Sequence, residues 1–219
     1  MTVDQLDTFL EAMAPEHTAV QRDMAARADD EGFPIIGRAA GAVLQQYAMA
    51  TDATRIFEFG SGYGYSATWF APALAADGDI VLTEEDPDEL ALAEEYLERA
   101  GLVDKAHFEV GDALDTIEAY DGPFDVVLID AAKEQYVDCY ESVKPKLRAG
   151  SVVIADNALT AGDMDTLGIV DGVISGEASS DLDSMAAGIR DYLLHVSDDP
   201  DVVSSVVPVG SGLAISVRR

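Results

Sequence analysis

Five short apolar runs recur along the middle of the chain, and stretches with helical spacing separate them. Within each run the apolar residues are nearly continuous and hardly alternate with polar ones. Because the strands of a parallel sheet are buried on both faces, such runs predict parallel strands covered by helices. The predicted strands are residues 55–59, 79–83, 106–110, 124–129 and 151–155.

The stretches before, between and after these strands predict helices. Apolar residues recur there every three or four positions. The stretch after the second strand opens on Pro87 and ends at Gly101, as helices commonly do. The predicted helices are residues 3–13, 16–30, 36–49, 67–75, 87–100, 113–119, 134–147 and 185–196.

The last part of the chain departs from this alternation of strands and helices. Two further strands are predicted at residues 202–207 and 213–217, with only 208–212 between them. A connection this short joins antiparallel neighbours but cannot make a parallel crossover. We therefore predict one α/β domain over residues 1–219. It has a Rossmann-like sheet of seven strands with an antiparallel C-terminal hairpin and helices on both faces, as in class I methyltransferases.

Residues 158–184 are rich in Gly, Asp and Ser and show little periodicity. A segment this long without secondary structure is uncommon inside a domain unless it has a function. We therefore predict a lid or substrate loop there.

The charge balance is strongly negative, with 42 acidic against 13 basic residues and a net charge of −29. Such a surface excludes nucleic acid and anionic membranes as partners, because each phosphate contact needs a Lys or Arg. A cationic partner is one interpretation. The other is adaptation to a salt-rich cytoplasm, because the charge resembles that of proteins from halophilic archaea and dense carboxylates keep a protein hydrated in salt.

Two further features bear on the compartment and on metal chemistry. No apolar run is long enough to span a membrane, and the N-terminus is acidic where a signal peptide would be basic, so we predict a cytoplasmic protein. The single cysteine, Cys139, excludes an internal disulfide and a thiolate metal cluster. We interpret it as a small core or surface residue.

A glycine-rich turn, Glu58-Phe59-Gly60-Ser61-Gly62-Tyr63-Gly64, follows the first predicted strand. Glycines allow a sharp turn and a close approach of the backbone to a ligand, but several nucleotide sites share this pattern. The turn contains no Lys or Arg, which disfavours a triphosphate. Glu58 would face a pyrophosphate badly, and it suits the cationic sulfonium and ammonium groups of S-adenosylmethionine.

Acidic residues also follow the second and third strands. Glu84 stands directly at a strand end and could accept hydrogen bonds from both ribose hydroxyls, although NAD would use such an acid in the same way. An exposed acid near a helix N-terminus is the alternative. Asp112, followed by Ala113, could accept from the adenine amine or merely cap the next helix.

A more specific pattern follows the fourth and fifth strands, where Asp130 and the pair Asp156-Asn157 come directly after apolar runs. Adjacent parallel strands end side by side, so these side chains are expected to converge. An all-oxygen set suits Mg²⁺, Mn²⁺ or Ca²⁺, and the lack of a nearby thiolate or histidine disfavours zinc. Lys133 could reach the same pocket and take a proton from a hydroxyl. The alternatives are a strand-end cap, an Asx turn and a solvated lysine.

With these elements the sequence resembles the cation-dependent O-methyltransferases, the family of catechol and caffeoyl-CoA O-methyltransferases. The likeness runs from about Gly32 to the C-terminus and rests mainly on Asp130-x-x-Lys133 and Asp156-Asn157. It implies an enzyme that uses S-adenosylmethionine and a divalent cation, with Mg²⁺ first. The acceptor would be a hydroxyl of a small molecule, catechol-like or another vicinal diol, and the protein a homodimer.

The resemblance also assigns roles to residues. It implies that Asp130, Asp156 and Asn157 bind the metal, that Lys133 is the catalytic base, and that Glu84 binds the ribose. The residues expected to hold the cofactor are Glu58, Gly60, Ser61, Gly62, Tyr63, Ser66, Glu84, Asp112, Ala113 and Asp130.

The chain departs from the family pattern at four positions. Ala132 and Ser211 replace acids, Thr160 replaces an aromatic residue, and Leu193 replaces an asparagine. These changes weaken a specific assignment to catechol or caffeoyl-CoA. They leave open a non-catalytic cofactor-binding protein of the same fold. An NAD-dependent oxidoreductase is disfavoured by the C-terminal hairpin and by the lack of a Tyr-x-x-x-Lys pair.

Overall fold

The computed structural model describes residues 3–159, 166–175 and 182–219. Its centre is one seven-stranded sheet in the order β3-β2-β1-β4-β5-β7-β6. The strands are β1 Arg55–Phe59, β2 Asp79–Glu84, β3 Ala106–Val110, β4 Phe124–Ile129, β5 Leu147–Ala155, β6 Val202–Val207 and β7 Leu213–Arg218. The first five are parallel, and β7 is antiparallel to both β5 and β6. The predicted sheet and its C-terminal hairpin are confirmed.

Helices cover both faces of this sheet. They are α1 Val3–Met13, α2 Ala19–Glu31, α3 Gly37–Ala50, α4 Ala67–Phe70, α5 Pro87–Ala100, α6 Ala113–Glu118, α7 Tyr136–Val143, α8 Thr166–Ser175 and α9 Ser184–Asp198. Successive residues of a strand face opposite sides, so β1 contributes to two cores. Ile56 packs with α2, α3 and α5 on one side, and Phe57 and Phe59 pack with α7 and α9 on the other.

The strand order reverses between β1 and β4, which is where open α/β sheets bind ligands. The register aligns the ends of the central strands, since Phe59 pairs with both Thr83 and Ile129, and Ile129 pairs with Ala155. The residues that follow β1, β2, β4 and β5 therefore lie along one edge of the sheet.

Two predicted helices are shorter than the sequence indicated. The helix expected at residues 134–147 is an α-helix only over Tyr136–Val143, between the 3₁₀ turns Lys133–Gln135 and Lys144–Lys146. The one expected at 67–75 ends at Phe70 and continues as the 3₁₀ turn Ala71–Ala73. Pro145 and Pro72 lie inside these turns, and proline cannot donate the hydrogen bond that an α-helix needs.

The segment 158–184 contains α8 at residues 166–175, a helix that the weak periodicity of the sequence did not indicate. Residues 160–165 and 176–181 lie outside the described part of the chain, and the lid stays a prediction. Over the described residues, no helix is long and apolar enough to cross a membrane.

Candidate active site

The glycine turn packs directly against the end of β4. Gly60, Gly62 and Gly64 have φ angles of 78°, 48° and 79°, in the left-handed region that side chains disfavour. A Cβ atom on Gly60 would lie 2.6 Å from the carbonyl oxygen of Asp130. Glycine at this position therefore brings the turn after β1 into contact with the residue that follows β4.

Glu58 is buried at the base of this turn, with 1% of its surface exposed. The hydroxyl of Ser66 donates to Oε1, while Oε2 has no hydrogen-bond partner among the described residues. Burial raises the pKa of this carboxyl to about 8. A buried carboxylate oxygen without a partner is a place where a cationic or hydrogen-bond-donating ligand group would be stabilised.

Glu84 faces the turn from the end of β2. Its Oε2 accepts from the backbone N–H of Gly62 at 2.9 Å, and its Oε1 accepts from that of Asp86 at 3.1 Å. Asp86 is the residue that caps α5, through the N–H of Asp88 at 2.9 Å. The exposed acid at the N-terminus of α5 is thus Asp86, and Glu84 is directed to the glycine turn.

Two adjoining cavities open at this edge of the sheet, and both are lined by Gly60, Glu84 and Asp130. The first has a volume of about 260 Å³ and extends towards Asp112, Ala113, Gln135 and Cys139. The second has a volume of about 140 Å³ and extends towards Phe33, Ile36, Tyr65 and Ser66. Together they offer room for a ligand that passes over the glycine turn.

The other residues predicted to hold a cofactor have definite partners. Asp112 lines the first cavity and also caps α6, accepting from the N–H of Leu114 at 2.8 Å. Ser61 donates its N–H to the carbonyl of Thr83 at 2.9 Å. The ring of Tyr63 is buried, and its hydroxyl donates to the carbonyl of Met24 in α2 at 3.2 Å. A hydrogen bond from the Tyr63 hydroxyl is therefore already used within the protein.

Lys133 lies beside Asp130 and is only 9% exposed, so its interpretation as a solvated residue is wrong. Its ammonium group donates to three acceptors. These are Oδ1 of Asp130 at 2.9 Å, the carbonyl of Ala131 at 3.2 Å and the hydroxyl of Tyr136 at 2.8 Å. The hydroxyl of Tyr136 in turn donates to the carbonyl of Asp156 at 3.3 Å. This chain of contacts links the ends of β4 and β5.

Asp156 follows β5 at the same level as Asp130 follows β4, and its N–H donates to the carbonyl of Ile129 at 3.1 Å. It is 3% exposed, and its Oδ1 has no hydrogen-bond partner among the described residues. Burial, with a further contribution from the charge of Asp130, raises the pKa of its carboxyl to about 7. Asn157 follows with a positive φ of 58°.

These residues fit a hard divalent cation. The unpaired buried oxygen of Asp156 would be stabilised by a bound cation, and the side chains of Asp130, Asp156 and Asn157 offer oxygen ligands. Among the described residues, no group of three His, Cys, Asp or Glu side chains is placed to hold a metal ion. A cation here would therefore need Asn157 and non-protein oxygens in addition to the two carboxylates.

Sequence reasoning missed two residues that hold this edge together. The hydroxyl of Thr83 donates to the carbonyl of Glu58 at 2.6 Å, inside the glycine turn's base. The hydroxyl of Tyr136 accepts from Lys133 and donates to the carbonyl of Asp156. The only available signals were the strand-end position of Thr83 and the three-residue spacing of Tyr136 from Lys133.

Two of the departures from the family pattern fall near the site. Ala132 lines the first cavity. Ser211 accepts from the N–H of Leu159 at 3.0 Å, so the turn between β6 and β7 contacts the loop that follows Asn157. Leu193 is part of the core, and Thr160 lies outside the described residues.

Comparisons with known proteins agree with this architecture. A family model described as O-methyltransferase matches residues 16–219. A catechol O-methyltransferase of Mycobacterium tuberculosis is 33% identical over 223 residues, which cover 98% of this chain and 95% of that protein. Another, of Niastella koreensis, is 35% identical over 126 residues, which cover only 56% of this chain and 57% of that protein. The structure of an O-methyltransferase from Bacillus cereus in complex with SAH has the same fold, with a TM-score of 0.84, 24% identity and 100% of each chain covered.

Proposed function

Because this chain belongs to the O-methyltransferase family, we propose that it transfers the methyl group of S-adenosylmethionine to a hydroxyl of a small molecule, assisted by a divalent cation. The observation that carries the proposal is the buried Lys133, which is hydrogen-bonded to Asp130 and is linked through Tyr136 to Asp156, whose Oδ1 has no partner among the described residues. These groups would supply a base and a cation-binding oxygen at the same edge of the sheet as the glycine turn.

The two cavities, together with the buried carboxyl of Glu58 beside Ser66 of the second cavity, support S-adenosylmethionine as the methyl donor. The unpaired oxygen of Glu58 suits the ammonium group of its methionine part, and Ser66 orients that carboxyl. Glu84 suits the ribose hydroxyls, and the first cavity beyond it would take the adenine against Ala113 and Ala132. When bound, the cofactor supplies an electrophilic methyl group on a positively charged sulfur.

The chain's own residues supply orientation and a proton acceptor. In its neutral amine form, after its own proton has gone to solvent, Lys133 would take the proton of the acceptor hydroxyl, and the oxygen so freed would form its new bond to carbon as the sulfur–carbon bond breaks. Asp130, Asp156 and Asn157 would hold the cation, Mg²⁺ before Mn²⁺ or Ca²⁺. A bound cation would acidify the acceptor hydroxyl. A catechol-like vicinal diol fits this arrangement, and the name of the Mycobacterium tuberculosis relative supports it.

The test is methyl transfer from labelled S-adenosylmethionine to catechol, with Mg²⁺ or with EDTA. We expect turnover with Mg²⁺ and its loss with EDTA. Lys133→Met should lower kcat about 100-fold or more, because general-base catalysis contributes about that much. Lys105→Met is the matched control, because Lys105 lies before β3 and donates to the carbonyl of Ala75 instead. Undiminished turnover by Lys133→Met would refute the role of the base.

Binding measurements separate the alternatives. Calorimetric titration should show binding of S-adenosylmethionine and of its demethylated product, and weak or no binding of NAD. Binding of the methyl donor without transfer to any diol acceptor would favour a non-catalytic protein of this fold. If the methyl donor did not bind at all, the proposed function would be wrong.

A further inference from the structure

Helix α9 touches the segment that carries Lys133 at a glycine. A Cβ atom on Gly188 would lie 2.3 Å from the carbonyl oxygen of Lys133 and 2.9 Å from the Cα atom of Glu134. Both are backbone atoms, which cannot rotate away as the end of a flexible side chain can. Any larger residue at position 188 would therefore have to displace α9 or the 3₁₀ turn Lys133–Gln135.

Two side chains on the same face of α9 flank this contact. Ser184 lies four residues before Gly188, and its hydroxyl donates to Oε1 of Glu134 at 2.6 Å. Tyr192 lies four residues after it, and its ring meets the edge of Tyr136 at 5.7 Å between centroids. Residues four apart share one face of an α-helix. One face of α9 thus contacts residues 133, 134 and 136.

The position of the Lys133 amine depends on the contacts of its nitrogen and on the position of its backbone. Its nitrogen is held by Asp130, Ala131 and Tyr136, and its backbone rests on Gly188. We propose that Gly188 is a positioning residue for Lys133, because the close approach of α9 sets how far the amine reaches beside Asp130. This inference rests on the proposed role of Lys133 as the base.

Packing elsewhere on α9 makes displacement of the Lys133 segment more favourable than displacement of the helix. Ala186, Ile189 and Tyr192 are each at most 1% exposed and belong to the core between α9 and the sheet. These contacts would keep the helix on the sheet when a methyl group is added at position 188. The strain would then appear as a shift of the Lys133 segment, and a shift of about 1 Å in a catalytic group can lower a rate about 100-fold.

The experiment compares Gly188→Ala with the unaltered protein in the catechol assay. We expect kcat to fall about 10-fold or more, with the dissociation constant of S-adenosylmethionine unchanged, because α9 contacts the base and not Glu58 or Glu84. Gly122→Ala is the matched control. A Cβ atom there would lie 2.5 Å from the carbonyl oxygen of Lys146, a similarly close backbone contact before β4.

A second pair of variants, which change the packing less, tests the inference if Gly188→Ala does not fold. Ser184→Ala removes the hydrogen bond to Glu134, and Ser197→Ala removes only a bond to the carbonyl of Leu194 on the same helix. We expect the first alone to lower kcat. The inference is overturned if Gly188→Ala keeps full kcat, if Gly122→Ala loses as much, or if both serine variants behave alike. An inactive unaltered protein would instead refute the proposed function on which the inference rests.

Discussion

At the scale of single residues, the buried carboxyl of Glu58 would favour binding of a cationic ligand, but its burial lowers the stability of the folded protein as the pH rises. Burial raises its pKa from 4.5 to about 8, so the folded state binds this proton more tightly than the unfolded state. Its contribution to stability is complete below pH 4.5 and is lost as the pH rises through 8. The same buried carboxylate would be stabilised by a cationic ligand.

The predicted consequence is a pH-dependent gain in stability for Glu58→Gln. The amide stays neutral, so its free energy of unfolding should exceed that of the unaltered protein by an amount that grows from pH 5 to pH 9. The gain should reach ~2–5 kcal/mol at the upper end, because each pKa unit corresponds to about 1.4 kcal/mol. Urea unfolding at constant salt measures it. Glu98→Gln, on the exposed face of α5, should show no such trend. Equal pH dependence for Glu58→Gln and the unaltered protein would contradict the buried charge.

At the scale of elements, α2 docks on the glycine turn and on α4. The hydroxyl of Tyr63 donates to Met24, Gln21 donates to the hydroxyl of Thr68 at 3.2 Å, and His17 shares a hydrogen bond of 2.7 Å with Tyr65. Tyr63→Phe should lower the free energy of unfolding by about 1 kcal/mol, the usual net worth of one hydrogen bond. Its affinity for S-adenosylmethionine should not change.

Ser66→Ala, just after the glycine turn, is the contrasting variant, because it should weaken cofactor binding. It removes the donor to Glu58, so calorimetry should show weaker binding of S-adenosylmethionine, in addition to a loss of stability of about 1 kcal/mol or more for the lost hydrogen bond. If Tyr63→Phe weakened cofactor binding as much as Ser66→Ala, the Tyr63 hydroxyl would have a role in the site beyond its hydrogen bond to Met24.

The order of elements could be predicted because apolar runs and helical spacing are local signals. The start of β5 could not, since the sequence indicated residue 151 and the strand begins at Leu147. Its first residues are largely exposed, so burial leaves no apolar signal there. Helix α8 was missed because Gly168 and Gly172 have poor helix propensity, which packing overrides.

The contacts of the site likewise include some that could be predicted from the sequence and some that could not. Asp130 and Asp156 could be predicted to lie together because strand ends in a parallel sheet follow one rule. The partner of the Tyr63 hydroxyl could not, since Met24 is 39 residues away and on another helix. The contact between Gly188 and Lys133 is of the same kind, since only the packing of α9 against the sheet creates it.

At the scale of the whole molecule, the net charge of −29 opposes folding through self-repulsion. Screening shortens from about 10 Å in 0.1 M salt to about 3 Å in 1 M salt. The thermal midpoint should therefore rise steeply with KCl over this range and continue to rise as carboxylates bind hydrated ions.

The triple variant Glu94→Gln, Glu95→Gln and Glu98→Gln removes three exposed charges from one helix, and it should raise the midpoint at low salt and flatten its dependence on KCl. Unfolding followed by circular dichroism across the KCl series measures both effects. An unaltered protein that is equally stable in dilute buffer and in concentrated KCl would contradict adaptation to salt, and the acidic surface would then need a cationic partner as its explanation.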